Sequence, residues 1–509
     1  MRLKHIRIIL ALFCIALLTF FFVDFAGIFP QEHFTLAEIQ FLPALLSGSF
    51  GIIAILLLFT LVFGRVYCSI ICPLGIFQDL IFWIRKRFSP KKKNKYSSEK
   101  KILRFSVLVP VIVTYIAGFT LVLSILEPYS AYGRIATNIF KPLYQAGNNL
   151  IAPVFNHFGN YSFYNIEIFT QSLFSLIVAL VTIIIVTFLA ALYGRTWCNT
   201  ICPVGTILGY LSKFSFLKIR FNKQTCTSCG LCEKSCKASC IDSKNMTIDY
   251  TRCVACYDCI ASCKKKSISY KFIFAPKKTV EPKSDVADDS KRRFLGTLAT
   301  TALIAPISSF AQNLDSLNTK TYYKRKNPLS PPGSVSAEHL LKHCTACHLC
   351  VAKCPSKVLK PAFLEYGPAG IMQPRMDFEH GFCNYDCTMC SSVCPNDALK
   401  NLTVEEKHGL QMGRVVFVKS NCVVYTDETR CGACSEHCPT QAVKMVPYKN
   451  NLTIPSIDPE ICVGCGGCEY VCPALPLKAI YVEGNTVHLK AKHFKEEEKK
   501  EVNIDGFGF

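Results

Sequence analysis

Twenty-four of the thirty cysteines in this chain fall into six sets of four, and their spacing is that of iron–sulfur ligands. A [4Fe–4S] cube takes four thiolates, three from a short loop with cysteines three apart and the fourth from further along. Two sets lie mid-chain: Cys226, Cys229, Cys232 and Cys236, then Cys253, Cys256, Cys259 and Cys263. Four more follow: Cys344, Cys347, Cys350 and Cys354; Cys383, Cys387, Cys390 and Cys394; Cys422, Cys431, Cys434 and Cys438; and Cys462, Cys465, Cys468 and Cys472. Each of these later four ends in a Cys-Pro pair, and the count implies six [4Fe–4S] clusters. Several fourth-ligand pairings suit the spacing in this later region, and they stay open.

Other chemistries fit less well. Disulfide scaffolds are small secreted domains without repeated runs of this kind. Zinc also takes C-x2-C pairs, but a tandem of complete four-cysteine runs exceeds its needs. Cys344-Thr345-Ala346-Cys347-His348 matches the c-type haem attachment pattern. The same two cysteines complete the run ending at Cys354, and they cannot do both jobs. The mid-chain runs resemble bacterial two-cluster ferredoxins, in which the last cysteine of each run ligates the other cluster. That resemblance implies the sets Cys226, Cys229, Cys232, Cys263 and Cys253, Cys256, Cys259, Cys236. Lys237 and Lys264 depart from it, standing where that family has proline.

The cysteines left over are Cys14, Cys68, Cys72, Cys198, Cys202 and Cys240, and four of these belong to a repeat. Gly64-Arg65-Val66-Tyr67-Cys68-Ser69-Ile70-Ile71-Cys72-Pro73-Leu74-Gly75 returns as Gly194-Arg195-Thr196-Trp197-Cys198-Asn199-Thr200-Ile201-Cys202-Pro203-Val204-Gly205. Each copy follows an apolar stretch, as if one helix pair had been duplicated. Its thiols can ligate a further metal centre, act as redox-active thiols, or cap helices.

The elements that position these residues are apolar. Half of the 509 residues are hydrophobic, yet 57 Lys and Arg give a net charge of +21. Those basic residues cluster beside apolar stretches, the pattern of a membrane protein and not of a nucleic-acid binder. Four stretches are long enough to cross a hydrocarbon core of ~30 Å: about Ile6 to Val23, Phe41 to Gly64, Ile102 to Ile125 and Ser172 to Gly194. The first lacks the small-residue cleavage site of a signal peptide. Basic residues favour one side: the N-terminus, and the loop between the second and third stretches with Arg85, Lys86, Arg87 and Lys91-Lys92-Lys93. The other two loops carry few. Both ends of this unit are therefore expected on the cytoplasmic side of a bacterial inner membrane.

The chain then divides as follows: a membrane domain at 1–213, a cytoplasmic two-cluster domain at 214–272, and a polar linker at 273–290. Within 291–311, Lys291-Arg292-Arg293-Phe294-Leu295 reads as a twin-arginine-like export signal or a fifth span. Ser309-Phe310-Ala311 supplies a small-x-small cleavage site, and a docked apolar helix is the plainer alternative. A tether at 312–338 leads to a four-cluster domain at 339–482, expected in the periplasm, and a charged tail at 483–509. The fold class expected is an α-helical membrane domain joined to α+β bacterial-ferredoxin-like domains.

Up to about Phe272 the chain resembles the NapH-type membrane ferredoxins of periplasmic nitrate reductase systems, which have four spans, two C-x3-C-P motifs and a two-cluster ferredoxin. From Ser290 it is similar to the NapG/MauM-type exported four-cluster ferredoxins. The resemblance implies oxidation of membrane quinol and delivery of electrons to a periplasmic oxidoreductase or cytochrome. Quinol oxidation releases protons, and Asp24 and Glu127, with His33 nearby, stand at the outer ends of spans as acceptors; helix-end charges facing water are the bland alternative. No histidine lies within the four spans and no Rossmann glycine fingerprint appears, which argues against b-type haem and a dinucleotide donor. A redox factor for assembling or activating a metalloenzyme is the alternative function, ahead of a redox sensor. One difficulty stands: no carrier in the spans obviously bridges the inner and outer clusters.

Overall fold

The computed structural model describes residues 2–25, 27, 35–88, 94–169, 171–272 and 325–492. The linker at 273–290, the export-like segment at 291–311, His33 and the Lys91-Lys92-Lys93 run lie outside the described residues.

The N-terminal half is a helical bundle: α1 (Arg2–Val23), α2 (Phe41–Leu46), α3 (Phe50–Phe63), α4 (Pro73–Phe88), α5 (Lys101–Ile116), α6 (Leu121–Leu126), α7 (Pro128–Ile135), α8 (Lys141–His157), α9 (Leu173–Tyr193) and α10 (Pro203–Ser212). Among the described residues, α1 and α9 are the continuous apolar helices of spanning length, with 21 suitable residues in each. The other two expected spans are each interrupted. The second breaks between α2 and α3 at Gly48, and the third between α5 and α6 at Gly118, with φ of 69° and 84°. Glycine enters that left-handed region at little cost, and it ends a helix whatever the hydropathy of the next residues.

The stretch from Leu126 to Gln171, expected as a loop, is helical as far as His157. Glu127 caps α7 by accepting the Tyr129 N–H (3.0 Å) and the Ser130 N–H, with Pro128 in the first turn. Every residue of α7 is buried. A wider turn, Ala136–Phe140, carries the chain directly into α8. The outward faces are apolar: Ile6, Ile9 and Phe13 on α1, Val109, Val113 and Ile116 on α5, and Ile184 and Phe188 on α9 are all exposed.

The two cysteine-rich regions pack on opposite ends of this bundle. At the start of α1, Lys4 pairs with Asp258 of the first region at 2.9 Å. Just past its end, Asp24 pairs with Lys353 of the second at 2.8 Å. A helix of 22 residues separates its ends by ~30 Å. The first region closes on an antiparallel pair, Leu217–Phe221 with Ile268–Phe272. The largest pair in the second is Leu410–Phe417 with Ile480–Lys490. Short helices and two-stranded sheets make both regions α+β.

The Asp24–Lys353 pair is almost fully buried, so Lys353→Ala removes a cation bonded directly to a buried carboxylate. The expected cost is about 3–5 kcal/mol, read as a lower melting temperature in detergent. Lys353→Arg, which keeps the charge, should recover most of it.

Candidate iron–sulfur centres and the paired cysteine motif

Four of the six cluster loops share one backbone. In Cys226–Cys232, Cys253–Cys259, Cys344–Cys350 and Cys462–Cys468, the residues on either side of the second cysteine both have positive φ. They are Ser228 and Gly230, Ala255 and Tyr257, Ala346 and His348, and Gly464 and Gly466. Side chains other than glycine enter this region at a cost of about 1–3 kcal/mol each, which something in the site must offset. The gain is that successive N–H groups turn towards the sulfurs. Ala346 N–H donates to Cys344 Sγ at 3.4 Å. A one-turn helix then carries the third cysteine and stops at the fourth: Leu231–Ser235, Asp258–Ser262, Leu349–Lys353 and Gly467–Val471.

In five of the six runs the fourth cysteine is placed with a different run. Burial raises the Cys344 thiol, and the thiols beside it are Cys347 and Cys394. Cys350 adds Cys390 as a further neighbour. Cys390 is raised by burial with Cys383, Cys354 and Cys387 around it, and a cavity is lined by those same four. A second cavity is lined by Cys422, Cys431, Cys434 and Cys472. Burial raises Cys468 in the company of Cys465, Cys462 and Cys438. The second region therefore contains two crossed pairs of quartets. In the first region Cys259 is raised by burial with Cys256, Cys253 and Cys236 nearest it. Cys232 has Cys226 and Cys229 beside it, and Cys263 Sγ accepts the Ser267 N–H at 3.2 Å.

These donor sets fit iron–sulfur cubes. Among the described residues no three His, Cys, Asp or Glu side chains are arranged to hold a single ion. Zinc draws its ligands to ~2.3 Å from one centre, whereas a cube spreads its four sulfurs apart. His348 is also accounted for. Its Nε2–H donates to the Met372 carbonyl (3.0 Å), and its Nδ1 accepts from Ser175 Oγ of α9 (3.3 Å). Burial holds it neutral, its pKa lowered to about 3. Both ring nitrogens are thus committed, which leaves none to ligate a haem iron.

Two features had no role in the sequence reading. Cys240 Sγ lies 3.6 Å from Cys236 Sγ, and their hydrogen bond lowers the Cys236 thiol, favouring the thiolate a cluster needs. Lys237, where two-cluster ferredoxins have proline, bonds Asp79 (2.9 Å) and Asp258 (3.1 Å), and its carbonyl accepts the Arg195 N–H (2.8 Å). The departure from proline is the joint between ferredoxin and bundle.

The paired motif is a local device used twice. Gly64 and Gly194, with φ of 75° and 70°, end α3 and α9; Pro73 and Pro203 open α4 and α10. Cys202 Sγ accepts the Gly205 N–H at 3.3 Å. The copies interlock. Arg65 Nη2 donates to the Cys198 carbonyl at 3.2 Å, and Arg195 Nη1 donates to the Cys68 carbonyl. A Cβ on Gly205 would stand 2.1 Å from the Cys198 oxygen, and one on Gly75 2.4 Å from the Cys68 oxygen, so both positions exclude larger residues. Cys68, Cys72, Cys198 and Cys202 are all buried, and Cys72 interacts electrostatically with the other three. Residues 130 apart are thus brought face to face. Asp24 is held by Lys353, and Glu127 is the cap of α7 with Tyr67, Tyr129 and Arg134 as electrostatic neighbours.

Known proteins resemble the chain in the same regions. The 4Fe-4S binding domain family matches residues 45–92 and 173–224, each containing one copy of the paired motif, and the 4Fe-4S dicluster domain family matches 429–475. The ferredoxin-type protein NapG of Escherichia coli is 30% identical over 195 residues, 36% of this chain and 81% of that one. The ferredoxin-type protein NapF of Escherichia coli is 25% identical over 167 residues, 33% of this chain and 93% of its own length. An uncharacterised protein of Methanocaldococcus jannaschii is 25% identical over 234 residues, 45% of this chain and 83% of that one. No solved structure matches.

Proposed function

The chain belongs to the family of the ferredoxin-type protein NapG, and from that premise we propose that it conducts electrons from membrane quinol to a periplasmic acceptor. Six [4Fe–4S] clusters carry them, two in the first cysteine-rich region and four in the second. The observation that carries this reading is the placement of two multi-cluster domains on opposite ends of one apolar bundle.

Four membrane crossings are supplied by α1, by α2 with α3, by α5 with α6, and by α9. Their exposed apolar faces would be costly in water and suit lipid. The basic residues put the two-cluster domain inside and the four-cluster domain outside. The acceptor is a periplasmic oxidoreductase or cytochrome, and a nitrate-reductase-like system fits the family.

Quinol gives up two electrons and two protons, while each cluster takes one electron at a time. Of the two carboxylates at the outer end of the bundle, Asp24 is neutralised by Lys353. Glu127 is the better proton acceptor, buried beside Tyr67 and Tyr129. Membranes holding the full chain, treated with a reduced quinol analogue, are expected to show reduction of the outer clusters by EPR. Reduction by dithionite alone would overturn the reading. Glu127→Gln should slow the quinol step and leave dithionite reduction unchanged.

A further inference from the structure

The conduit leaves the four cysteines of the paired motif without a task and the crossing between the two ferredoxin domains without a carrier. We propose that Cys68, Cys72, Cys198 and Cys202 together hold one additional iron–sulfur cluster, shared between the two repeats and standing between the inner and outer clusters. This rests on the conduit reading and supplies the step it lacks.

The thiols come from both copies, and Arg65 ties the copies together, its Nη2 reaching Cys68 Sγ at 3.8 Å and the Cys198 carbonyl at 3.2 Å. Cys72 interacts with Cys198, Cys68 and Cys202, and Cys202 interacts with Cys198 and Cys68. Capping accounts for Cys202, which accepts the Gly205 N–H, but Cys68 and Cys198 lie a turn earlier, inside Tyr67–Ile70 and Trp197–Ile201. All four are buried, free thiols. Four cysteines that approach one another suit a cluster.

Charge points the same way. Arg65 is fully buried, and its partners are neutral: Asn199 Oδ1 (2.9 Å), the Thr251 carbonyl (3.0 Å), the Cys198 carbonyl and Cys68 Sγ (3.8 Å). A desolvated guanidinium without a counter-ion is strongly unfavourable. Four thiolates on a cluster make an anion, which would compensate Arg65. Buried donors also stand unpaired in these two copies, at Arg65 Nε, Arg195 Nη2 and Trp197 Nε1. Cluster sulfides accept such bonds, and those bonds help set the potential.

The position joins both sides. Towards the inner domain, Arg65 reaches from Cys198 to Thr251 and is an electrostatic neighbour of Cys253. Towards the outer domain, Tyr67 neighbours Cys72 and Glu127, and Tyr129 neighbours Glu127 and Cys347. Each electron reduces the shared cluster and passes on. No bond forms or breaks, and quinol supplies the electrons.

The test counts clusters in the full chain purified without oxygen, by native mass spectrometry with iron and sulfide analysis. One cluster beyond the six ferredoxin sites is expected. Cys72→Ser and Cys202→Ser should each lose that cluster, and the double variant should lose no more than either. A count of six in the unaltered chain, or losses that add in the double variant, would overturn the proposal. EPR signals of the six ferredoxin clusters report whether the variants fold, and the unaltered chain decides the count without them. An additional cluster in a chain that quinol cannot reduce would sink the conduit reading and leave this site standing. Six clusters with quinol reduction would do the reverse.

Discussion

Alanine at Cys394 is expected to empty the cluster built on Cys344, Cys347 and Cys350, and to spare the one built on its own run. The thiol of Cys394 lies with Cys344, Cys347 and Cys350, while Cys354 completes the quartet of Cys383, Cys387 and Cys390. Removing one thiolate leaves a cube with three ligands and an open iron corner. Pairs of substitutions make the crossing measurable. Cys394→Ala with Cys347→Ala should remove one cluster, about four irons per chain, because both changes strike one quartet. Cys394→Ala with Cys390→Ala should remove two. Uncrossed runs would give the opposite order, and iron analysis of the two double variants separates the cases.

Asp79→Asn is expected to be the most destabilising single change in the bundle. Asp79 is bonded by Arg7 (2.8 Å), Arg195 (2.7 Å) and Lys237 (2.9 Å), which come from α1, the second motif copy and the first cysteine-rich region. Neutralising it takes the shared carboxylate from three buried cations and leaves Lys237 with Asp258, at a cost of about 3–5 kcal/mol. The first cysteine-rich region should then undock, seen as faster proteolysis of residues 214–272 and a lower melting temperature. The same centre sets an acid limit. Burial alone would raise the Asp79 pKa, but Arg195, Lys237 and Arg7 hold the carboxyl far below the usual carboxylate range. A carboxylate depressed on folding contributes stability above the unfolded value of ~3.9. That contribution drains away as the pH falls below it, and Asp79→Asn should flatten this part of the pH–stability curve.

Apolar length alone does not show that two of the expected spans are interrupted, because hydropathy does not register a glycine that turns the chain. Gly48 and Gly118 interrupt stretches that read as single helices. The helices α7 and α8 were missed for the opposite reason, since their polar residues read as loop. A signal was present: Glu127-Pro128 is a cap followed by a first-turn proline, and Glu127 does cap α7.

What the sequence by itself determined is local. The cysteine spacing specifies the loops that wrap a cube, and four of them adopt one backbone. The Gly64 to Gly75 repeat specifies two matching helix-to-helix corners, since glycine ends one helix and proline opens the next. Tertiary structure alone decided which distant groups meet. Cys394 joins Cys344 across 50 residues, Lys237 reaches Asp79, and the two C-x3-C-P corners face each other with their arginines exchanged. Contacts of that range depend on how whole elements pack, and no spacing within a motif encodes them.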